Sequence, residues 1–339
     1  VPARNEEANI GSCLESLVEQ QDVEFEIIVV NDHCTDRTRE VAESFPKVRV
    51  IDAGPLPPSS TGKNNAVITG AHESRGAWLL FTDADTVHLA GSLGRALHEA
   101  RQNGAALLSY SPAQIVTSFW EKAIMPVIFA ELASHYRPSE VSDPNLPAAA
   151  ANGQYILITR EAYEAVGGHA SIAASLLEDV ALAQALKRSG RKILFRFGGD
   201  AVRTRMYRSF LQLREGWTKN LAILFPAPVR LAIWRFLEFL ALVCSLALLT
   251  FFIASSEFLF ALPFLLGPIV TLRRIARAHF SWSANLLVIF GLPLFSYLLL
   301  RSKLSHQRGT VSWKGRQYTS EPSHEPIPDH SARIARKLS

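Results

Sequence analysis

Cysteine is scarce in this chain: three residues in 339, at Cys13, Cys34 and Cys244. They share no paired spacing, which excludes a cysteine-held zinc site and a disulfide framework and fits a reducing, cytosolic setting. Charge of one sign is also lacking. Lys and Arg number 35 against 31 Asp and Glu, a formal +4, too mild to argue for nucleic acid in a chain with no binding motif of that kind. His33, His72, His88, His98 and His169 show no ligand spacing and read as surface or packing residues. There is no internal repeat. The chain opens at Val1-Pro2 without a methionine, so a strand upstream of Pro2 is expected, and the lack of a visible signal peptide excludes nothing. A P-loop is missing as well. Gly62-Lys63 is followed by Asn64 instead of Ser or Thr, and the loop before it carries Pro55, Pro57 and Pro58 where a second glycine is needed.

What is present is an alternation of short apolar runs with helical patterns. Asn5 stands where an N-cap would, with Glu6 and Glu7 in the first turn, before Ile10, Leu14, Leu17 and Val18 mark a buried helix face. Strands are expected over Phe25–Val30, Val48–Ile51, Trp78–Phe81, Ala105–Tyr110, Gly153–Thr159 and Lys192–Phe197. Helices are expected from Thr35 or Asp36 to Ser44, from Thr61 to Ser74, over Leu89–Gln102, over Arg160–Val166 and from Leu177 to Ser189. This order predicts an α/β fold whose sheet is mainly parallel, flanked by helices. The segment Ile115–His135 is apolar but carries Glu121, Lys122 and Pro126. It reads either as an amphipathic helix on a membrane or acceptor groove, or as a buried core helix.

No apolar run long enough to cross a membrane precedes about Arg230. After it come Leu231–Ile253, with Glu238 inside it, then Phe258–Leu272, broken by Pro263 and Pro268, and Ser283–Leu300, with Pro293. Arg273, Arg274 and Arg277 follow the second block, and Arg301 and Lys303 follow the third. Both loops are basic enough to be cytoplasmic, yet they cannot share a side if the third block is a full span, so one block is expected to be interfacial or re-entrant. The expected division is a catalytic domain over 1–225, membrane helices over 226–304, and a basic then disordered tail over 305–339.

Four features fall at strand ends: Arg4-Asn5-Glu6 after Pro2, Asn31-Asp32, Lys63, and Asp83-Ala84-Asp85. The C-terminal strand ends of a parallel sheet share one edge, so these groups converge on one crevice. Two carboxylates on a strand end suit a hard divalent cation carrying substrate phosphates. Taken singly, Asp83-Ala84-Asp85 is also an ordinary acidic turn, Lys63 a solvated lysine, and Glu178-Asp179 acids that favour a helix N-terminus.

Together, Pro2-Ala3-Arg4-Asn5-Glu6-Glu7, Val29-Val30-Asn31-Asp32 with Thr35-Asp36, Thr82-Asp83-Ala84-Asp85 and Leu177-Glu178-Asp179 resemble family 2 glycosyltransferases of the GT-A fold over roughly Val1 to Lys219. Thr61-Gly62-Lys63-Asn64, Gly216-Trp217-Thr218-Lys219-Asn220 and Val311-Ser312-Trp313-Lys314-Gly315-Arg316 are similar to its membrane-bound subgroup associated with hopanoid and carotenoid glycosylation. The resemblance implies a nucleotide-sugar donor, usually a UDP-sugar, and Mg²⁺ or Mn²⁺. It implies that Pro2, Arg4, Glu6 and Lys63 belong to the donor site, that Asp32 contacts uracil and Asp83 the ribose or metal, and that Asp85 is the main metal ligand. Asp179, with Glu178 beside it, would be the general base of an inverting transfer.

One departure stands out. Processive synthases of the family carry an Arg before the Trp, and Leu213-Arg214-Glu215-Gly216-Trp217 lacks it. This argues against a polysaccharide synthase, puts a role for Trp217 in doubt, and leaves Lys219 or Arg214 as alternative diphosphate cations. Trp217 also reads as an interfacial anchor, and Trp313-Lys314-Gly315-Arg316 as a basic anchor to anionic lipid or a return to the active site. The expectation is a sugar transferase at the cytoplasmic face of the cell membrane with a lipid acceptor. The alternatives are a polyprenyl-phosphate sugar transferase and a non-catalytic nucleotide-sugar-binding membrane protein.

Overall fold

The structure, a computed structural model, describes the chain apart from Asp22, Ser59, Lys314 and residues 319–339. The expected disordered tail and Lys314 therefore lie outside the described residues. The chain divides into two compact units, Val1–Ile115 with Leu132–Met206, and Val116–Glu131 with Tyr207–Ser339.

In chain order the first elements are β1 (Pro2–Ala3), α1 (Ile10–Val18), β2 (Ile27–Asn31), α2 (Thr38–Glu43), β3 (Val48–Asp52) and α3 (Gly62–Glu73). There follow β4 (Trp78–Phe81), β5 (Thr86–His88), α4 (Ser92–Gln102), β6 (Leu107–Ser111), β7 (Ala113–Gln114), α5 (Phe119–His135) and α6 (Pro138–Ser142). The first unit closes with β8 (Ile156–Thr159), α7 (Arg160–Ala165), α8 (Glu178–Arg188), β9 (Ile193–Phe197) and β10 (Val202–Thr204).

Its strands form sheets of order β1-β2-β3, β4-β8-β6-β9 and β5-β10-β7. Parallel pairing holds for β1 with β2, β2 with β3 and β6 with β9, while β8 runs antiparallel to both β4 and β6. The long excursion through α5 and α6 returns the chain to the sheet from the opposite end, which a short βαβ crossover does not allow. The apolar runs become buried strands: Leu107, Leu108, Ile156 and Ile158 are each essentially inaccessible, as are Tyr110 and Tyr155.

Two local expectations are corrected. Asn5 does not cap a helix. It sits at φ +51 in a turn, and its side-chain oxygen accepts from the Thr35 N–H at 2.9 Å, while α1 begins at Ile10 with no side-chain cap. Asn tolerates this left-handed backbone better than most residues. The helix expected from Leu89 starts at Ser92, because Thr86–His88 pairs with β10 as a short strand and Gly91 turns the chain at φ +67.

The segment 115–135 resolves as a core helix. Ala123, Ile124, Met125, Val127, Ile128 and Ala130 are at most 2% exposed. Its Glu121 is a cap: the carboxylate accepts from the Ser118 N–H at 2.7 Å while the Ser118 hydroxyl accepts from the Glu121 N–H at 3.3 Å.

The second unit adds α9 (Phe210–Leu224), α10 (Pro228–Ala254), α11 (Phe258–Ala261), α12 (Leu266–Ala276), α13 (Trp282–Asn285), α14 (Val288–Gln307) and a hairpin of β11 (Val311–Trp313) and β12 (Arg316–Tyr318). Three helical segments, Pro228–Ala254, Phe258–Ala276 and Val288–Gln307, are long and apolar enough to cross a membrane. Pro263 falls in a 3-10 stretch between α11 and α12, Pro268 lies in the first turn of α12, and Pro293 lies inside α14.

Glu238, the one acid inside the first apolar block, is fully engaged. It accepts from Arg235 at 2.6 Å, from Arg274 at 3.0 Å and from the Thr271 hydroxyl at 3.0 Å. Arg235 and Arg274 also reach Glu131 of α5. Two acids and two arginines thus neutralise one another among the helices, as charges in an apolar surrounding must.

Candidate active site

Strand β4 delivers Thr82-Asp83-Ala84-Asp85 at its C-terminal end, and buried threonines hold the turn. The Thr86 hydroxyl donates to the Asp83 carbonyl at 2.7 Å, the Thr204 hydroxyl to the Asp85 carbonyl at 3.1 Å, and the Thr82 hydroxyl to the Gln154 carbonyl at 2.9 Å. Fixing both carbonyls through side chains fixes where the two carboxylates start from. Among the described residues no group of three or more His, Cys, Asp and Glu is placed to hold a metal ion. Asp83 and Asp85 supply oxygen donors alone, the set a hard cation takes when substrate phosphates and water complete its shell.

Lys63 opens α3, whose N-cap Thr61 accepts from the Asn64 N–H at 3.2 Å. Asn64 is fully buried and its amide donates to the carbonyls of Ala173 at 2.8 Å and Ser175 at 3.1 Å. That ties the start of α3 to the loop leading into α8, and so brings Lys63 to Glu178. The Lys63 ammonium lies 2.7 Å from Glu178 and 2.8 Å from Asp83. It is not a solvated surface lysine. Burial pulls its pKa down, but the two carboxylates outweigh burial and hold it well above the ordinary lysine value.

Asp179, in the first turn of α8 with Glu178, uses both oxygens: one accepts from the Gly153 N–H at 2.9 Å, the other from the Val180 N–H at 2.8 Å. Burial, then the charge of Glu178, push its pKa up from 3.8 to about 6, against the opposing pull of Lys63 and the two N–H donors. At pH 7 the carboxylate form still dominates, which is the state a base needs.

A narrow cleft runs between these groups, lined among others by Pro2, Lys63, Asp83, Gly153, His169 and Glu178, and enclosing about 250 Å³ including the space open to solvent. Of the residues singled out from sequence, Pro2, Lys63, Asp83 and Glu178 line it, and Asp179 hangs from the backbone of Gly153. Arg4 and Glu6 are held by neighbouring groups. The Arg4 guanidinium donates to the Asp32 carbonyl at 2.9 Å, and Glu6 receives the Asn9 amide at 2.9 Å. Asp32 is buried at the end of β2 beside His33, and Asp85 is half-buried.

Trp217 and Lys219 belong to the second unit. Trp217 is 2% exposed, with its ring near those of Phe129 and Tyr207, so it is not an exposed interfacial anchor. Lys219 lies over the Trp313 ring at 5.9 Å.

Two contributors had no sequence signal. Gly153 sits under the cluster, where an added Cβ would meet the Lys63 nitrogen at 3.1 Å, Glu178 at 3.3 Å and Asp179 at 3.5 Å. Thr204 reaches the Asp85 turn from 119 residues away. His169 is a packing residue, as expected, but one that borders the cleft. It stacks edge-on to Phe81 and bonds the Tyr163 hydroxyl, and burial pushes its pKa down to about 4.

Residues 1–167 match the family described as glycosyl transferase family 2. The 4,4'-diaponeurosporenoate glycosyltransferase of Staphylococcus aureus (strain USA300) is 30% identical over 336 residues, covering 94% of this chain and 87% of that protein. Among solved structures, mannosyltransferase PcManGT from Pyrobaculum calidifontis in complex with GDP-Man and Mn²⁺ is similar over 93% of this chain and 86% of its own, with a TM-score of 0.48 and 16% identity. Glucosyl-3-phosphoglycerate synthase from Mycobacterium tuberculosis in complex with Mn²⁺ and UDP-glucose is similar over 63% of this chain and 72% of its own, with a TM-score of 0.41 and 19% identity.

Proposed function

The chain belongs to glycosyltransferase family 2, and from that premise we propose that it moves a single sugar from a nucleotide-sugar, a UDP-sugar, to the polar head of a membrane lipid with inversion at the anomeric carbon. The observation that carries this reading is the meeting of Lys63, Asp83, Glu178 and Asp179 around one cleft at the end of β4.

Asp83 and Asp85 would hold Mg²⁺ or Mn²⁺ together with the donor diphosphate. The cation, when bound, offsets the charge that builds on the departing diphosphate. Lys63 has a second task. Its ammonium lies across Asp83 and Glu178. Entry of the diphosphate gives the ammonium a stronger partner and draws it off Asp83, leaving Glu178 to hold its other side. Where the acceptor is a hydroxyl, Asp179 then takes its proton as the oxygen attacks the face opposite the diphosphate; an ionised carboxylate acceptor attacks without that step. One base and one held leaving group suffice for a single displacement, which inverts configuration, and no second carboxylic acid is called for.

The lipid acceptor is supported by the apolar helices of the second unit and by the Staphylococcus relative, a 4,4'-diaponeurosporenoate glycosyltransferase, whose acceptor is a carboxylate by name. The basic segments flanking those helices support a catalytic domain on the cytoplasmic face. The test uses membranes containing the protein, radiolabelled UDP-glucose and related donors, and lipid extraction. Label is expected in the lipid phase, to be lost with EDTA, restored by Mn²⁺ or Mg²⁺, and abolished by Asp85→Ala. Transfer that survives both EDTA and Asp85→Ala would remove the metal from the reading.

A further inference from the structure

Three segments of the second unit are long and apolar enough to cross a bilayer, yet their surroundings divide them. Only 11% of the most apolar stretch of α10 and 17% of that of α11–α12 is buried inside the protein, against 44% for α14. The first two arms pack on each other antiparallel. The Ser245 hydroxyl donates to the Phe264 carbonyl at 2.6 Å, the rings of Phe252 and Phe264 stack at 5.7 Å, and Phe252 also meets Phe260 at 6.1 Å. At one end of this hairpin is the turn Ser255-Ser256-Glu257, with no Lys or Arg. Near the other end is the ionic ring of Glu131, Arg235, Glu238 and Arg274.

The distances match a membrane. From Arg235 to Ser255 there are 20 helical steps, a rise of roughly 30 Å at about 1.5 Å each, and the hydrocarbon layer is about 30 Å thick. The returning arm, from Phe258 to Arg274, rises roughly 25 Å on the same measure. Between Arg235 and Arg273 the sequence holds no Lys or Arg, and the outward faces of both arms are apolar, with Phe236, Leu240, Phe251, Phe260, Leu266 and Val270 all exposed.

Helix α14 is anchored at both ends to elements on the ring side. At its start, Gly291 lies so close against α5 that a Cβ would collide with the Ala123 carbonyl and the Val127 side chain, and Phe290 meets Phe119 at 5.5 Å. The same helix α5 carries Glu131 into the ring. Toward the other end, the buried Ser302 hydroxyl inserts beside a rung of α9, donating to the Thr218 carbonyl at 2.6 Å and accepting from the Ala222 N–H at 2.9 Å. Arg301 donates to the Thr218 hydroxyl at 3.2 Å and His306 to the Lys219 carbonyl at 2.8 Å. Farther back along α14, Phe295 meets Phe225, which directly follows α9.

We propose that α10 and α11–α12 cross the bilayer as a two-pass hairpin, with the ionic ring at the cytoplasmic boundary, while α14 does not cross. Helix α14 packs along α10 and α9, with its start against α5, at the membrane surface, and the β11–β12 hairpin stays on the cytoplasmic side. This arrangement puts Arg214, Lys219, Arg273, Arg277, Arg301, Lys303 and Arg308 on one side and leaves only Glu257 charged at the far turn. A third crossing would split the basic residues between the two faces and strip α14 of the polar partners it has on α9.

Single-cysteine accessibility in intact cells tests this directly, in a background with Cys13→Ala, Cys34→Ser and Cys244→Ala and with a membrane-impermeant maleimide. Ser255→Cys, in the far turn, is expected to label in intact cells, and Gln307→Cys, at the exposed end of α14, only after permeabilisation. An alkaline phosphatase fusion after Ser339 is expected to be inactive, and the same reporter inserted after Ser255 active. Labelling of both cysteines in intact cells means three crossings and overturns the proposal. Labelling of neither before permeabilisation means that the hairpin dips into the membrane without crossing, and overturns it equally. Labelling of Gln307→Cys alone reverses the orientation and does the same.

Discussion

Asp179→Asn keeps the size of the side chain and removes its ability to accept a proton. The structure sets what else changes. Asp179 accepts one backbone N–H on each oxygen, and an amide can accept only one of them, leaving the other N–H against its own NH₂ at a cost of roughly 1–3 kcal/mol. Opposing this is relief from holding a carboxylate in a site that raises its pKa from 3.8 to about 6, worth at most roughly 3 kcal/mol near neutral pH at about 1.4 kcal/mol per pH unit. The two nearly cancel, so the melting temperature should move by no more than about 5 °C. The pH dependence has a definite sign. A raised pKa means the native state binds the proton more tightly than the unfolded chain, so this group lowers stability as pH rises from about 4 to 6, and the variant loses that slope.

Activity changes far more. On a hydroxyl acceptor the loss should be about 10²–10⁴-fold, with donor binding by calorimetry unchanged. Wild-type transfer should fall below about pH 6, tenfold per unit, as the base protonates. A carboxylate acceptor is already ionised at pH 7 and hardly needs a base, so the same variant should keep transfer to it within about tenfold. Side-by-side rates with one lipid alcohol and one lipid carboxylate, for wild type and variant, give the answer. Full transfer by Asp179→Asn to the alcohol would refute the base assignment, and an equal loss of donor binding would reduce Asp179 to a structural role.

Other perturbations bear on neighbouring groups. Lys63→Met should weaken UDP-sugar binding about 10–100-fold, the range of a lost charge-assisted contact, as calorimetric titration would show, and lower the thermal midpoint, because the nearly buried Glu178 loses the cation beside it. Gly153→Ala places a methyl 3.1 Å from the Lys63 nitrogen and 3.3 Å from Glu178, so both side-chain ends must give way by a few tenths of an ångström, and transfer should fall while far-UV circular dichroism stays as in wild type. Arg274→Met leaves Glu131 and Glu238 with one arginine between them, and breaking such a buried pair costs about 3–5 kcal/mol, to be seen as a lower unfolding temperature in detergent.

Much of the site was legible because it lies on strand ends. An apolar run that stops at paired carboxylates or at Asn-Asp declares both the strand and the edge where it stops, and Thr61 beside Gly62-Lys63 marks the start of a helix at that same edge. What stayed hidden depends on partners distant in the chain. Nothing around Gly153 shows that its N–H will meet Asp179, 26 residues on, and β5 and β10 are strands only because they find each other across more than 100 residues. The antiparallel course of β8 likewise follows from the path of α5 and α6 and not from its own residues. Asn5 misled because the same side chain that caps helices also stabilises turns. The apolar blocks were plain as blocks. How each of them packs is not written in hydropathy: the buried Ser302 hydroxyl meets the Thr218 carbonyl of α9, 84 residues back.

The central claim is that the Lys63, Asp83, Asp85, Glu178 and Asp179 site transfers sugar to a membrane lipid. Mass spectrometry of total lipid extracts from cells expressing the wild-type chain, the Asp85→Ala variant or an empty vector tests it most directly. The account predicts a lipid species heavier by one sugar residue in the wild-type extract and absent from the other two. Identical lipid profiles in all three, with the protein present in the membrane fraction and UDP-sugars available, would contradict it.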